Sequence, residues 1–78
     1  MPGTLSVVIP AHNEEANIAG TVHHLVEALR AADISHEILV VNDSSTDATE
    51  RVLVLLPARL VEIFRASGDG RLMIIRWF

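Results

Sequence analysis

The chain has 78 residues, which suffice for one small domain and are too few for two. Half of the residues are hydrophobic, 21% are charged and none is cysteine, so the composition indicates a globular domain without disulfides or thiolate metal sites. The net charge of −4 argues against nucleic-acid binding, which requires a basic surface. The charge is uneven, because residues 1–50 carry a net −7 and residues 51–78 a net +3.

The N-terminal sequence shows no targeting signal. It has no basic region, and its apolar run from Leu5 to Ile9 is far shorter than the core of a signal sequence or the ~20 residues that span a bilayer. The sequence therefore predicts a cytoplasmic protein, which associates with membranes only if a longer parent protein provides the means.

The first strand and helix are predicted from the pattern of apolar residues. Leu5 to Ile9 is a short β-branched run that ends at Pro10, as a buried strand does before a loop. Apolar residues then recur at spacings of three and four from Ile18 to Ala32, which predicts a helix with one apolar face. Asn13 is predicted to cap this helix.

A second strand and a second helix follow with the same spacing. Glu37 to Val41 predicts a buried strand. The next helix is predicted to end near Leu56, before a proline, and to begin with Asp47 and Glu50 in an arrangement that resembles a capping box.

This alternation predicts an α/β fold with parallel strands and right-handed crossovers, the opening half of a doubly wound sheet. Residues 59–65 are predicted to add a third strand. The turn sequence "SGDG" then precedes the apolar run "RLMIIRWF", which fits either a strand or a helix. We therefore divide the chain into residues 1–56 and a divergent tail, residues 57–78.

Two polar clusters, "PAHNEE" and "NDSSTD", follow the first two strands. In open parallel sheets, ligands bind beyond the carboxyl ends of the strands, where these clusters are expected. Helix capping alone accounts for Asn13, Ser45 and Asp47. Asp43 is different, because it lies between the strand and the predicted cap, where local structure does not require a carboxylate.

Glycine-rich phosphate-binding signatures are absent from these loops, and the chain has no lysine. Glu14 and Glu15 also place negative charge at the predicted start of the first helix, where a dinucleotide fold holds its pyrophosphate. Carboxylates at strand ends instead suit the hydroxyls of a ribose or the N–H groups of a base.

The stretches "LSVVIPAHNEEANI" and "EILVVNDSSTDATE" resemble the N-terminal part of family-two glycosyltransferases of the GT-A fold. The resemblance covers residues 4–55, and within the family the sequence is similar to dolichol- or polyprenyl-phosphate sugar transferases. It implies an incomplete, Rossmann-like βαβαβ half of a GT-A domain, with a parallel sheet flanked by helices.

The resemblance also implies a nucleotide-sugar donor, UDP- or GDP-linked, and a set of contacts to it. Pro10 and His12 would line the base and ribose, Glu14 would bind either of them, Val41 would contribute backbone contacts, and Asp43 would accept hydrogen bonds. Complete members hold Mg²⁺ or Mn²⁺ with a D-x-D motif, which this chain lacks. We therefore expect no cofactor in the chain itself and no catalytic residue, as in a truncated or frameshifted transferase without metal and acceptor sites.

Two other interpretations remain open. The chain is alternatively a non-catalytic module that binds a nucleotide or a partner. An oxidoreductase fragment is a third interpretation, which the missing glycine loop disfavours. If the chain is a truncated domain, we expect the first strand to have an uncovered edge through which copies of the chain associate.

Overall fold

A computed structural model describes residues 3–76 of the chain. Within these residues, two helices and four strands alternate in a small α/β domain. The elements are β1 (Leu5–Ala11), α1 (Ile18–Ala31), β2 (His36–Asp43), α2 (Thr49–Leu55), β3 (Glu62–Ala66) and β4 (Leu72–Arg76). Neither helix has the length and apolar character needed to cross a membrane.

The strands form one sheet in the order β1-β2-β3-β4. The first three strands are parallel, and β4 runs antiparallel to β3. Because both crossovers lead in the same direction along the sheet, right-handed connections place both helices on the same face. This confirms the predicted Rossmann-like βαβαβ arrangement and adds an antiparallel edge strand.

The hydrophobic core lies between the two helices and one face of the sheet. Alternate residues of the strands point into it, as period-two patterning requires. Its members include Ile18, Val22, Val26, Ile38, Val40, Leu53 and Ile63. The opposite face, here called the open face, carries apolar side chains that neither described helix covers, including Val8, Val41 and Ile74.

Strand β1 continues through Pro10 and ends at Ala11, two residues beyond its predicted end. The backbone N–H of Leu5 donates to the carbonyl oxygen of Ser35 at 2.9 Å, so odd-numbered residues of β1 direct their backbone groups toward β2. The position of Pro10 therefore faces the free edge of the sheet. A proline fits there because no partner strand needs its missing N–H.

The prediction that Asn13 caps α1 is wrong. The helix begins at Ile18, and its N-cap residue, Asn17, makes no capping hydrogen bond with its side chain. Asn13 instead adopts a left-handed backbone conformation (φ 51°) and accepts a hydrogen bond from the backbone of Thr46. Its partner lies more than thirty residues away, which the local sequence does not reveal.

The predicted capping box of α2 does not form, because the N-cap residue is Ala48 and no side chain makes a capping hydrogen bond. Asp47 Oδ1 accepts a hydrogen bond from the backbone N–H of Thr49 at 3.0 Å, two residues further along the chain. Glu50 does not return a bond to Asp47, because its carboxylate is paired with Arg65 on β3. Tertiary pairing with a cation has replaced the local bond.

The tail contributes β3 and β4, joined by a tight turn. The backbone N–H of Ser67 donates to the carbonyl oxygen of Arg71 at 2.8 Å, and Gly70 supplies the positive φ of 84° that the turn requires. The apolar run at the end of the sequence is therefore a strand up to Arg76. Residues 77–78 lie outside the described part of the chain.

Arg76, at the end of β4, joins the tail to α2. Its Nη1 donates to the carbonyl oxygens of Leu56 at 2.7 Å and Val54 at 3.1 Å. A cation at the C-terminus of a helix also interacts favourably with the helix dipole. The side chain thereby fixes the end of β4 beside the last turn of α2.

Candidate functional site

The loops after β1 and β2 lie side by side at the carboxyl edge of the sheet. Nδ1 of His12 and the carbonyl oxygen of Asp43 are 2.7 Å apart in a hydrogen bond that connects the two loops. Pro10 and Val41 are register partners in the last part of the strands. By strand alternation, Pro10, Val41 and Asp43 belong to the open face, and His12 follows the end of β1 beside them. We call Pro10, His12, Val41 and Asp43 the carboxyl-edge strip.

The carboxylate of Asp43 is exposed at the end of β2. Among residues 3–76, its one hydrogen-bond donor is the hydroxyl of Ser44, at 3.4 Å from Oδ1. Ser44 has a left-handed backbone (φ 54°), so the chain turns away directly after the strand. Most of the acceptor capacity of this carboxylate is therefore available to a ligand.

Glu14, the fifth predicted site residue, is held by its backbone. Its N–H donates to Oγ1 of Thr49 at 2.8 Å, at the start of α2. The Glu14 carboxylate makes no hydrogen bond within residues 3–76, and the residue is half-buried. The structure thus gathers four of the predicted residues into one strip and fixes the fifth to the helix layer.

Several polar residues that sequence reasoning assigned to capping hold the two loops together. Oδ1 of Asn13 accepts from the backbone N–H of Thr46 at 2.8 Å, and the N–H of Asn13 donates to Oγ of Ser45 at 3.0 Å. The Ser45 hydroxyl in turn donates to Oδ1 of the buried Asn42 at 2.5 Å. The asparagines of the first loop and the serines and threonine of the second were visible in the sequence, but which of them pair depends on the fold.

Asp47 adds another connection between the loops. Its carboxylate accepts hydrogen bonds from the hydroxyl and backbone N–H of Thr49 and, at 3.3 Å, from the backbone N–H of Glu15. These bonds, led by the one from the Thr49 hydroxyl, lower the pKa of Asp47 below its ordinary value. The Asp47 carboxylate is therefore ionised at neutral pH, and its oxygens already accept hydrogen bonds from Thr49 and Glu15.

Arg65 is a cation close to these loops, because it is the register partner of Asn42 near the end of β2. Its Nε and Nη2 lie 2.9 and 2.7 Å from the two carboxylate oxygens of Glu50. The hydrogen bond from Arg65 is the main reason why the pKa of Glu50 is lowered. Because Asn42 and Arg65 face the helices, this ion pair borders a separate hollow of about 240 Å³ on the helix side.

The chemistry available at the carboxyl-edge strip follows from these contacts. Asp43 offers an unoccupied carboxylate, His12 an imidazole ring, and Pro10 and Val41 apolar surface. Within residues 3–76, no three His, Cys, Asp or Glu side chains converge as metal ligands would. The strip suits a ring system that donates hydrogen bonds and carries no negative charge of its own.

Comparison with known proteins gives the family. The model of glycosyl transferase family 2 matches residues 6–71. An uncharacterized glycosyltransferase of Synechocystis sp. is 44% identical over 50 residues, which cover 64% of this chain and 16% of that protein. A 4,4'-diaponeurosporenoate glycosyltransferase of Staphylococcus aureus is 34% identical over 68 residues, which cover 87% of this chain and 17% of that protein.

The family model and the Staphylococcus aureus match include both polar loops and continue past Leu56, where the motif resemblance ended. The chain spans only about a sixth of the length of these relatives. The family match, together with the parallel α/β sheet and its paired loops, establishes that the chain belongs to glycosyl transferase family 2.

Proposed function

We propose that this chain recognises the nucleoside part of a nucleotide-activated sugar, a UDP- or GDP-sugar, for glycosyl transfer. The observation that carries the proposal is the exposed carboxylate of Asp43, placed beside His12 by the bond that joins the two loops. A ribose hydroxyl or a base N–H would donate to this carboxylate. His12, Pro10 and Val41 would pack against the ring.

Charge supports a nucleoside contact over a phosphate contact. Glu14, Glu15 and Asp43 make the loops negative, and Arg65 is committed to Glu50 on the other side of the sheet. A diphosphate would need cationic partners that these loops do not provide. In the proposed function, this part of the chain holds the donor through its nucleoside and does not stabilise the leaving group.

The proposal also concerns catalysis, which we do not expect of this chain by itself. The described residues do not fit the Mg²⁺ or Mn²⁺ that complete members hold, because no set of three suitable side chains converges. Loss of even one preorganised stabiliser of a developing charge lowers the rate by about 10²–10³. We therefore propose that the chain by itself binds a donor without transferring its sugar.

Isothermal titration of the purified chain with UDP and GDP tests the proposal. Asp43→Asn keeps the shape of the side chain and removes its charge, so we expect binding to weaken by about 10- to 150-fold, the equivalent of ~1.5–3 kcal/mol for a hydrogen bond to a charged group. Glu27→Gln, an exposed substitution on α1, is the control for the change in net charge.

Equal affinities for the wild type and Asp43→Asn would refute the assignment of the strip to the nucleoside. Equal weakening by Glu27→Gln would show that the loss of affinity is not specific to the position of Asp43. Turnover of radiolabelled UDP-glucose or GDP-mannose that Asp43→Asn abolishes would refute the expectation of an inactive chain.

A second role, association with another strand, is favoured by the free edge of β1. Ser6 and Val8 direct their backbone N–H and C=O groups toward this edge, and no residue of β1 is charged. Uncharged, unpaired strands invite pairing with other chains, although Pro10 removes one donor. Light scattering on the titration samples would detect such association independently of nucleotide binding.

A further inference from the structure

The bond between the two loops fixes the tautomer of His12. Its Nδ1 lies 2.7 Å from the carbonyl oxygen of Asp43, and a carbonyl oxygen can only accept a hydrogen bond. The hydrogen of the neutral imidazole ring is therefore on Nδ1. The other ring nitrogen, Nε2, is then an acceptor, because the tautomer of a histidine is set by the bond that its partner nitrogen makes.

The side-chain amide of Asn13 agrees with this assignment. Its Oδ1 accepts a hydrogen bond from the backbone N–H of Thr46 at 2.8 Å, which fixes the oxygen and the nitrogen of the amide. The Asn13 Nδ2 lies 3.5 Å from Nε2 of His12, and an amide nitrogen only donates. A contact of this length is weak, so the N–H of a ligand can replace it at Nε2.

The polar side-chain atoms that the carboxyl-edge strip leaves for a ligand are therefore all acceptors. They are the two carboxylate oxygens of Asp43 and Nε2 of His12, since proline and valine side chains have no polar atom. Asp43 and His12 are both exposed, and the bond between them keeps the imidazole ring beside the end of β2. A ligand that fits this strip presents several hydrogen-bond donors close together.

The common bases differ in the donors on their hydrogen-bonding edges. Guanine has donors on neighbouring atoms, one hydrogen on N1 and two on the 2-amino group, and a carboxylate can accept from both groups at once. Uracil has a single N–H between two carbonyl oxygens, so a carboxylate that accepts from it brings its second oxygen toward another acceptor. In adenine and cytosine, the amino group lies next to a ring nitrogen that accepts.

We propose that the carboxyl-edge strip selects guanine, so that the donor is a GDP-sugar and not a UDP-sugar. This inference rests on the proposed function, in which the strip holds the nucleoside. N1–H and one hydrogen of the 2-amino group would donate to the carboxylate of Asp43, and the other hydrogen of the amino group to Nε2 of His12. The donors of guanine and the acceptors of the strip would then match one to one.

Isothermal titration with GDP, UDP and inosine diphosphate tests the choice of base, because inosine diphosphate is GDP without the 2-amino group. The wild type should bind GDP about 10- to 150-fold more tightly than inosine diphosphate, the effect of one hydrogen bond to a charged group. UDP should bind at least about tenfold more weakly than GDP. Asp43→Asn replaces one acceptor oxygen by a donor, so the ratio of the affinities for GDP and inosine diphosphate should fall by about tenfold. Glu27→Gln, the exposed control on α1, should keep the wild-type ratio.

The outcomes distinguish the choice of base from the site itself. If UDP or inosine diphosphate binds the wild type as tightly as GDP, while Asp43→Asn still weakens binding, the nucleoside site stands and the guanine inference is overturned. Weaker binding of 2′-deoxy-GDP than of GDP, with equal binding of GDP and inosine diphosphate, would assign the Asp43 carboxylate to the ribose and would also overturn it. If Asp43→Asn changes none of the affinities, the proposed function fails, and the inference fails with it.

Discussion

The two loops after β1 and β2 and the turn between β3 and β4 leave the same edge of the sheet, but they are held differently. Side chains hold the two loops, as when Asn13 binds Thr46 and Asp47 binds Glu15 across more than thirty residues. The β3–β4 turn is held locally, by its backbone and by Asp69. In the loops, polar groups are mostly occupied, so the few that remain, above all Asp43, are the ones available for a ligand.

The hairpin shows the opposite balance. Its polar groups are also paired, since Ser67 and Arg71 both contact Asp69, but its apolar side chains are left uncovered. One edge of this small sheet therefore presents two kinds of surface. The loops leave the carboxylate of Asp43 exposed, whereas the hairpin leaves apolar side chains exposed.

The largest expected effect is a difference in the free energy of unfolding between substitutions in β3 and in β4. Ile63 on β3 is fully buried, whereas Ile74 on β4 is 58% exposed. Ile63→Ala should lower the free energy of unfolding by about 2–5 kcal/mol, since it leaves a cavity in the core. Ile74→Ala should change it by less than about 0.5 kcal/mol.

Urea denaturation followed by circular dichroism measures both values. Because a domain of this size has little stability in reserve, Ile63→Ala is expected to unfold at a much lower urea concentration than the wild type or Ile74→Ala. Equal effects of the two substitutions would contradict the distinction between a strand that belongs to the core and a strand that lies at the surface.

A smaller effect should come from the contact between the two loops. Asn13→Gly keeps the left-handed backbone accessible and removes the hydrogen bond to Thr46, which should cost about 1 kcal/mol. Asn13→Ala should cost about 1 kcal/mol more, because alanine is strained at a φ of 51°. Urea denaturation of both variants provides the measurement.

Asn17→Ala is the control, because Asn17 occupies the N-cap position of α1 without a capping side-chain bond. It should leave the free energy of unfolding nearly unchanged. A loss for Asn17→Ala that exceeds the loss for Asn13→Ala would restore helix capping as the main role of the asparagines in this loop.

The smallest effect concerns pH. Hydrogen bonds, first from the Thr49 hydroxyl, lower the pKa of Asp47 below its ordinary value of 3.8, so the unfolded chain binds more protons here than the folded chain. The stabilisation is therefore complete above pH 3.8 and is lost as the pH falls through the lower folded value. Asp47→Asn should flatten this part of the stability curve in acid.

Asp69 offers the matched test in the hairpin. The Ser67 hydroxyl, first among its partners, lowers the pKa of Asp69 in the same direction. Asp69→Asn should therefore also flatten the dependence of stability on pH in acid. The size of this effect in each variant compares the stabilisation by Asp47 in the loops with that by Asp69 in the turn. A wild-type stability that rises as the pH falls below 3.8 would contradict the assigned sign for both residues.

The sequence best predicts those elements that the spacing of apolar residues alone specifies. Ile38 and Val40 in a buried strand and Ile18, Val22 and Leu29 on a helix were expected from spacing, and all five are buried. The position of Asp43 at the end of β2 was likewise predicted, because parallel strands bring their carboxyl ends to one edge. Its contribution to ligand binding stays a prediction.

Contacts between distant residues could not be predicted in the same way. Asn13 resembles a helix cap in sequence, and its bond to Thr46 exists only after β1 and β2 have paired. The run after the turn fits two structures, because apolar content without alternation does not specify a period. Asn42 is likewise buried and bound to Ser45, so its replacement would disturb the fold before it affects a ligand.

The parallel register of β1 and β2 also has a consequence for synthesis. The two strands are partners from Leu5↔His36 to Ala11↔Asn42, so β1 has no neighbour until about thirty later residues have been translated. At about 5–20 residues per second, that interval lasts roughly 2–6 s. During this time the nascent β1 offers both of its edges to other chains, and Pro10 protects only one of them. The β3–β4 hairpin, whose strands are five residues apart, forms within microseconds of its emergence and has no such exposed period.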